Sequence, residues 1–367
     1  MGNEFLTTKN IARQILPELI ENLVAPNLFY KDYSDTFAKQ GDTIRVRKPV
    51  LLQAKDFVTG TAVTDQDVKE ESVDVKLDKI ATVDVSFESI QMALNVEDLN
   101  RTVIHPAAVA LAEKINGDGL ELYKDVPYIA GTAGTTPDGL DDFAAARESL
   151  NMRNVPLDSR RAIWSPEADS KFIQIPAIVN AEKSGSTAAL RSASIGNIFG
   201  MENYMAQGVK THTAGGAGIV LIDNAGGYAQ GTTDLHLDGF TSGCVEGDIL
   251  TIGGNTYTVV FAGPLSVGGE QDVGIYPGLA AAVKDNDAVT VTGNHKANLV
   301  FHPSAFAFVT RPLIAPAGVE SYTTSYNGIS LRVVRGYDMA YKREKLSIDV
   351  LYGYKTVYPE LAVRYLG

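Results

Sequence analysis

Two hydrophobic periods alternate along this chain, and the switches between them lay out its elements. From Thr7 to about Val24 the residues Ile11, Ile15, Leu16, Leu19, Ile20 and Leu23 recur at helical spacing, with Thr7 or Thr8 able to cap the start and Pro17 set to kink the helix or mark a second start. Residues 43 to 50 then alternate, Ile44 and Val46 on one side and Arg45 and Arg47 on the other. A second alternation runs from 73 to 87 through Val73, Val75, Leu77, Val83, Val85 and Phe87. The polar stretch between them predicts two long strands joined by a tip of about 20 residues, an extended hairpin arm.

Helical spacing returns at 103 to 124, where Ile104, Ala108, Leu111, Ile115 and Leu122 trace one stripe and His105-Pro106 fits a first turn. "TPDGLDDFAAARESLNMRNVP" reads as a second helix, "RRAIWSP" as a short strand, "SPEADSKF" as a capped helical turn, and "SASIGNIFGMENYMAQGV" as a tight two-strand element with Gly196 and Gly200. These helices and short strands suggest an α+β lobe over roughly 128 to 225.

The stretch 228 to 295 is different: rich in Gly, Thr and Val, with a helix pattern only at "YPGLAAAVKDND". Gly253-Gly254-Asn255 gives a tight hairpin between Ile249, Ile252 and Tyr257, Val259, Phe261. Several such strands imply a small β-barrel or sandwich, read as an insertion because "ANLVFHPSAFAFVTRPL" resumes a strand-then-helix rhythm and 329 to 352 alternate as long strands through Leu331, Val333, Ile348 and Val350.

At 367 residues the chain exceeds what one hydrophobic core fills, so more than one compact unit is expected. With 45% hydrophobic and 21% charged residues it has a globular composition, and no apolar run reaches bilayer length. The N-terminus does not read as a secretory signal. Cys244, the single cysteine, excludes an internal disulfide and reads as a buried small hydrophobe. The net charge of -12, with eight acids against one lysine between Asp234 and His295, argues against a nucleic-acid reader, though not against enclosing nucleic acid without gripping it.

Candidate chemistry is sparse. There is no phosphate loop, dinucleotide fingerprint, zinc-protease helix or nucleophile elbow. "TAGGAG" at 213 to 218 reads as a flexible loop. The histidines at 105, 212, 236, 295 and 302 never stand at i, i+4 spacing, so no ligand set follows from them, and His302 reads as a hydrogen-bonded strand-end residue. Asp65, Asp67, Glu70 and Glu71 lack an EF-hand register and read as a solvated tip. The arm's mixed charges, Arg45, Arg47, Lys48, Lys55, Asp56, Asp65 and Asp67, suit register-setting contacts with a neighbouring subunit.

This order of elements resembles the tailed-phage major capsid proteins of the HK97-like fold, and more closely the P22 coat protein family, whose members carry an extra inserted β domain. Gly196, Ile198, Phe199, Gly200 and Tyr204 are similar to that family's glycine-aromatic hairpin. Phe301, His302, Ala305 and Phe306 also match, and "HPAAVALAEKIN" occupies the place of its long spine helix. The resemblance implies an α+β fold with an N-terminal arm at 1–40, an extended hairpin arm at 41–92, a peripheral domain at 93–127 and 315–367, an axial domain at 128–227 and 296–314, and an inserted β-barrel-like domain at 228–295.

It further implies a non-enzymatic subunit, without cofactor or metal, that assembles with itself as hexamers and pentamers into the icosahedral shell around the double-stranded DNA of a tailed bacteriophage. Scaffolding, portal and decoration proteins are the implied partners, the host bacterial cytoplasm the place of procapsid assembly before maturation, and the virion the destination, with no membrane involved. The rival readings are a carbohydrate-binding or adhesive β-rich surface protein and an encapsulin-like nanocompartment shell, the latter expected to lack the inserted domain.

Overall fold

The structure, a computed structural model, describes residues 8–31, 43–47, 72–88, 104–180, 185, 188–339, 341 and 343–367. They fall into two compact units, one drawn from 1–20, 31–111 and 307–357, the other from 21–30, 112–306 and 358–367.

The first unit is built on a five-stranded sheet in which Phe306–Arg311, Arg343–Thr356, Ile329–Asp338 and Glu320–Tyr326 follow one another and Lys79–Glu88 also pairs with Arg343–Thr356. Alternation sets its faces: Leu331, Val333, Leu346, Ile348 and Val350 are buried, while Arg332 reaches Asp349 (Nε–Oδ2 3.0 Å) and Arg335 reaches Glu344 (Nε–Oε2 2.9 Å). Thr8–Asn22 is one helix that runs through Pro17 and buries Ile11, Ala12, Ile15, Leu16 and Leu19.

Only the first part of the second alternation joins the hairpin. Thr43–Arg47 pairs with Ser72–Lys76, Thr43 opposite Lys76 and Arg47 opposite Ser72. The second run then breaks at Leu77 and Asp78 and continues as Lys79–Glu88 on a new partner. A period of two marks which side of a strand is buried and carries no information about which strand lies beside it.

The second unit holds a sheet in the order Ile129–Gly131, Ala362–Leu366, His295–Phe301, Arg160–Trp164, Met201–Met205, Asn197–Ile198, with Thr211–His212 on the end of His295–Phe301. Helix Leu140–Asn151 is capped by Asp142, whose Oδ2 accepts from the N–H groups of Asp138 (2.7 Å) and Gly139 (2.9 Å). Ser165 caps Pro166–Phe172. Phe143, Trp164 and Phe172 stack edge-on or tilted within 5.3 Å of one another and centre this core.

Two expected boundaries move. Ala362–Leu366, expected with the peripheral domain, lies between His295–Phe301 and Ile129–Gly131, while Phe306–Arg311, expected in the axial domain, joins the long-stranded sheet. Nor does a helix follow "VFHP": a single turn at Pro303–Ala305 leads into Phe306–Arg311, six consecutive buried residues, a pattern that periodicity cannot assign to strand or helix.

A closed six-stranded barrel stands between Thr211–His212 and His295–Phe301, in the order Asp234–Ser242, Gln271–Tyr276, Asn255–Ala262, Ile249–Ile252, Ala288–Val291, Ala217–Ile222. It therefore begins at 217 rather than 228 and ends at 291 rather than 295. The predicted Gly253-Gly254 hairpin is present, both residues at positive φ (57° and 84°). Leu235, Leu237, Leu250, Ile252, Tyr257, Val259, Val273 and Ile275 fill the interior. "YPGLAAAVKDND" is not helical: Leu279 N–H bonds Thr232 and Val283 N–H bonds Tyr228, so its backbone is committed sideways.

Candidate assembly elements and the barrel junction

The hairpin expected from the glycine-aromatic motif is formed by Asn197–Ile198 and Met201–Met205. Its two turn residues, Phe199 (φ 51°) and Gly200 (φ 79°), both take the left-handed conformation that a two-residue hairpin turn demands. Glycine does so freely, whereas Phe199 is strained there by about 1–2 kcal/mol and leaves its ring 43% exposed. That ring borders a shallow cleft with Ala144, Arg147, Glu148, Asn151 and Met152. Ile198 packs on the lobe core, Gly196 turns the chain at φ 71°, and Tyr204 donates to Glu202 Oε2 (3.1 Å).

Phe301 and Phe306 belong to the interior instead. With Phe29 they form a triad with centroids 5.0–5.4 Å apart. His302 between them uses Nδ1 to accept from Ser304 N–H (3.3 Å), the strand-end role expected of it. Of the arm residues, Arg45 and Arg47 lie on the strand Thr43–Arg47, while Lys48, Lys55, Asp56, Asp65 and Asp67 lie outside the described residues, as does the acidic run at 65–71.

The most concentrated chemistry lies where the barrel meets the lobe. Asp248, fully buried at the head of Ile249–Ile252, accepts from His212 Nε2 (2.7 Å), Val245 N–H (2.9 Å), Gly216 N–H (3.2 Å) and Gly215 N–H (3.2 Å to Oδ2). Burial alone would raise its pKa, but these hydrogen bonds overcome that and hold it below the ordinary carboxylate value. The glycine-rich segment expected to be a flexible loop is thus the wall of a carboxylate cradle. Any side chain at Gly215 would run into Gly243 O and Val245.

An ionised Asp248 can only accept, so His212 carries its proton on Nε2, and its Nδ1 faces Tyr123 OH at 3.1 Å. With Tyr123 donating to Nδ1, all three groups are satisfied. Beside them Arg364, fully buried, donates through Nη1 to Gly247 O (2.6 Å) and lies 4.5 Å over the Tyr123 ring. Desolvation pulls its pKa down to about 9, which still leaves it charged at neutral pH.

His295 stands opposite His212 in the strand register, the rings 5.3 Å apart. Its Nδ1 donates to Gly293 O (2.7 Å), while Nε2 is buried without a hydrogen bond among the described residues. Burial, then the Arg364 charge, lower its pKa to about 4. Two further bonds complete the junction: Thr258 Oγ1 to Lys124 O (2.7 Å) and Tyr276 OH to Glu360 Oε1 (2.6 Å). Cys244 is buried as expected, its thiol pushed up to about 12 by desolvation.

Sequence reasoning singled out none of Tyr123, Asp248, Arg364 or Phe29, and it left His212 and His295 unassigned. Asp248 in "CVEGDILTI" offered the one usable signal, an acid beside a buried alternating strand.

No protein-family model matches this chain, and neither does any curated protein. Solved structures do. A structure from Mycobacterium phage Che8 superposes with a TM-score of 0.51 at 18% identity, covering 94% of this chain and 90% of its own. The capsid of Ralstonia phage GP4 gives 0.51 at 9% identity, covering 93% and 87%. The capsid of cyanophage P-SCSP1u gives 0.47 at 11%, covering 92% and 86%. Across nearly its whole length the chain has the mixed α+β fold of phage capsid subunits. Among the described residues no helix is long and apolar enough to cross a membrane.

Proposed function

We propose that this chain is the major capsid protein of a tailed bacteriophage, an HK97-like subunit of the P22 coat type that assembles with itself into an icosahedral shell around double-stranded DNA. The observation that carries the reading is the end-to-end likeness to the Ralstonia phage GP4 capsid, 93% of this chain on 87% of that one. The barrel at 217–291 corresponds to the inserted domain of such coat proteins, and the hairpin arm and the Phe199 turn are the elements offered to neighbouring subunits.

The work is mechanical: heterologous contacts close subunits into rings, and rings joined by other contacts close a shell. A chain of net charge -12 suits a wall that must not hold the phosphates packed behind it. Scaffolding, portal and decoration proteins would act on the same subunit during procapsid assembly in the host cytoplasm and maturation to the virion.

Electron microscopy of gradient fractions, for the protein expressed alone and then with its genomic neighbours, tests the reading. Closed, uniform particles tens of nanometres across are expected. A persistent monomer in every condition, with no sheets, tubes or shells, would overturn it and favour the adhesive alternative. Particles that carry a co-purifying enzyme would favour a nanocompartment.

A further inference from the structure

The barrel is tethered to the lobe by only two chain crossings, and each carries a buried histidine. The chain leaves the lobe through Thr211–His212 and re-enters it through His295–Phe301, and His212 and His295 face each other in antiparallel register. His212 is 3% exposed and His295 2%, so both lie inside the stalk that joins two folded bodies.

Their surroundings are unequal. His212 has partners on both ring nitrogens, Asp248 on the barrel and Tyr123 on the lobe. His295 spends its Nδ1 proton on Gly293 O and, among the described residues, has nothing to receive a second proton's bond at Nε2. The charged and titratable groups around it come from four other segments: Arg364 from Ala362–Leu366, Asp248 from the barrel base, His212 from the other crossing, and Tyr123 from Glu121–Asp125, with Cys244 beyond Asp248. Arg364 is itself incompletely satisfied, its Nε and Nη2 buried without hydrogen bonds among the described residues.

We propose that this junction is an acid-released hinge: a neutral His295 keeps the barrel clasped to the lobe, and a proton on His295 beside the Arg364 guanidinium opens the base of the barrel while the barrel stays folded. A second cation in this pocket has no acceptor and faces a fixed positive charge, whereas opening the stalk returns His295 to water. The barrel survives because its own hydrogen-bonded circuit closes without the lobe, and its interior of Leu235, Leu237, Leu250, Val259 and Ile275 contains no titratable carboxylate or histidine.

The direction follows from linkage. A histidine held neutral when docked, with its pKa near 4 against an ordinary 6.5, strengthens docking above about pH 6.5 and loses that contribution as the pH falls toward 4. Asp248 remains ionised through this window, because its pKa is held low, and the His295→Gln variant below separates His295 from His212 across the register. Between pH 7.5 and pH 4.5 the opening equilibrium should rise on the order of fiftyfold. The inference does not rest on the shell reading and holds for any role of the chain.

Hydrogen exchange followed by mass spectrometry on the purified full chain at pH 7.5 and 4.5, corrected for intrinsic exchange rates, tests it. The amides of Ala214 and Ala297, which bond Asn294 Oδ1 and Lys210 O across the two crossings, and those of Gly215 and Gly216 should lose protection in acid on the order of fiftyfold, while those of Asn255–Ala262 and Gln271–Tyr276 keep theirs. Equal protection at both pH values overturns the hinge, and so does simultaneous loss across junction and barrel strands, which is ordinary unfolding. His295→Gln, which keeps a donor for Gly293 O and cannot titrate, should abolish the acid response, and His236→Gln on the barrel exterior should leave it intact. If His295→Gln folds and still opens in acid, His295 is not the switch; if it fails to fold, the wild-type comparison decides the hinge.

Discussion

The inside of the barrel and its base are two answers to the same problem of holding strands in place. Inside, Leu237, Leu250, Val259 and Ile275 are buried by non-directional apolar contact, which tolerates exchange of one hydrophobe for another of similar volume. At the base, Asp248, His212, Tyr123 and Arg364 are equally buried but depend on directed bonds of 2.6–3.2 Å. The difference teaches where a failure would be sharp. A methylene lost inside leaves a small cavity, while a partner lost at the base leaves a buried charge or donor with nowhere to turn.

The largest expected effect is therefore at the base. Asp248→Ala strips His212 and the amides of Val245, Gly215 and Gly216 of their acceptor and should cost about 4 kcal/mol in urea unfolding, with Asp248→Asn losing less. Leu237→Ala inside the barrel should cost about 3 kcal/mol in the same experiment. If Leu237→Ala proves the costlier of the two, the contrast fails and the base is no more than a covered surface.

Smaller effects sharpen the picture. Tyr276→Phe removes one peripheral bond of the junction, to Glu360, and should cost about 1 kcal/mol, with the barrel strands equally protected from exchange. At the lobe hairpin, Phe199→Asn should raise the melting temperature slightly, by the equivalent of about 0.5–1 kcal/mol, because asparagine accepts the left-handed turn that phenylalanine resists. A loss of stability there would mean that the Phe199 ring contributes more to the isolated chain than its exposure suggests.

Much of the fold was legible in the residues. The hairpin at Gly253-Gly254, the two-strand element around Gly196 and Gly200, the helices at Leu140–Asn151 and Pro166–Phe172 and the later barrel strands follow from spacing, caps and turn chemistry. The misplacements share a cause. Lys79–Glu88, Ala362–Leu366 and Phe306–Arg311 are strands whose partners lie far away in sequence, and alternation reports burial without naming the neighbour. The barrel's first strand, Ala217–Ile222, sat in a segment whose three glycines between 215 and 218 masked it.

The junction was not legible at all. Tyr123, His212, Asp248, His295 and Arg364 are spread over more than two hundred positions, and each alone looks like an ordinary surface polar residue. By itself the sequence determined the local vocabulary, which residues turn, cap or face inward, because those choices depend on neighbours a few positions away. Only the tertiary structure decided which strands meet, where the barrel closes and which polar groups are buried together, because those depend on contacts between segments that the chain brings side by side only when it folds.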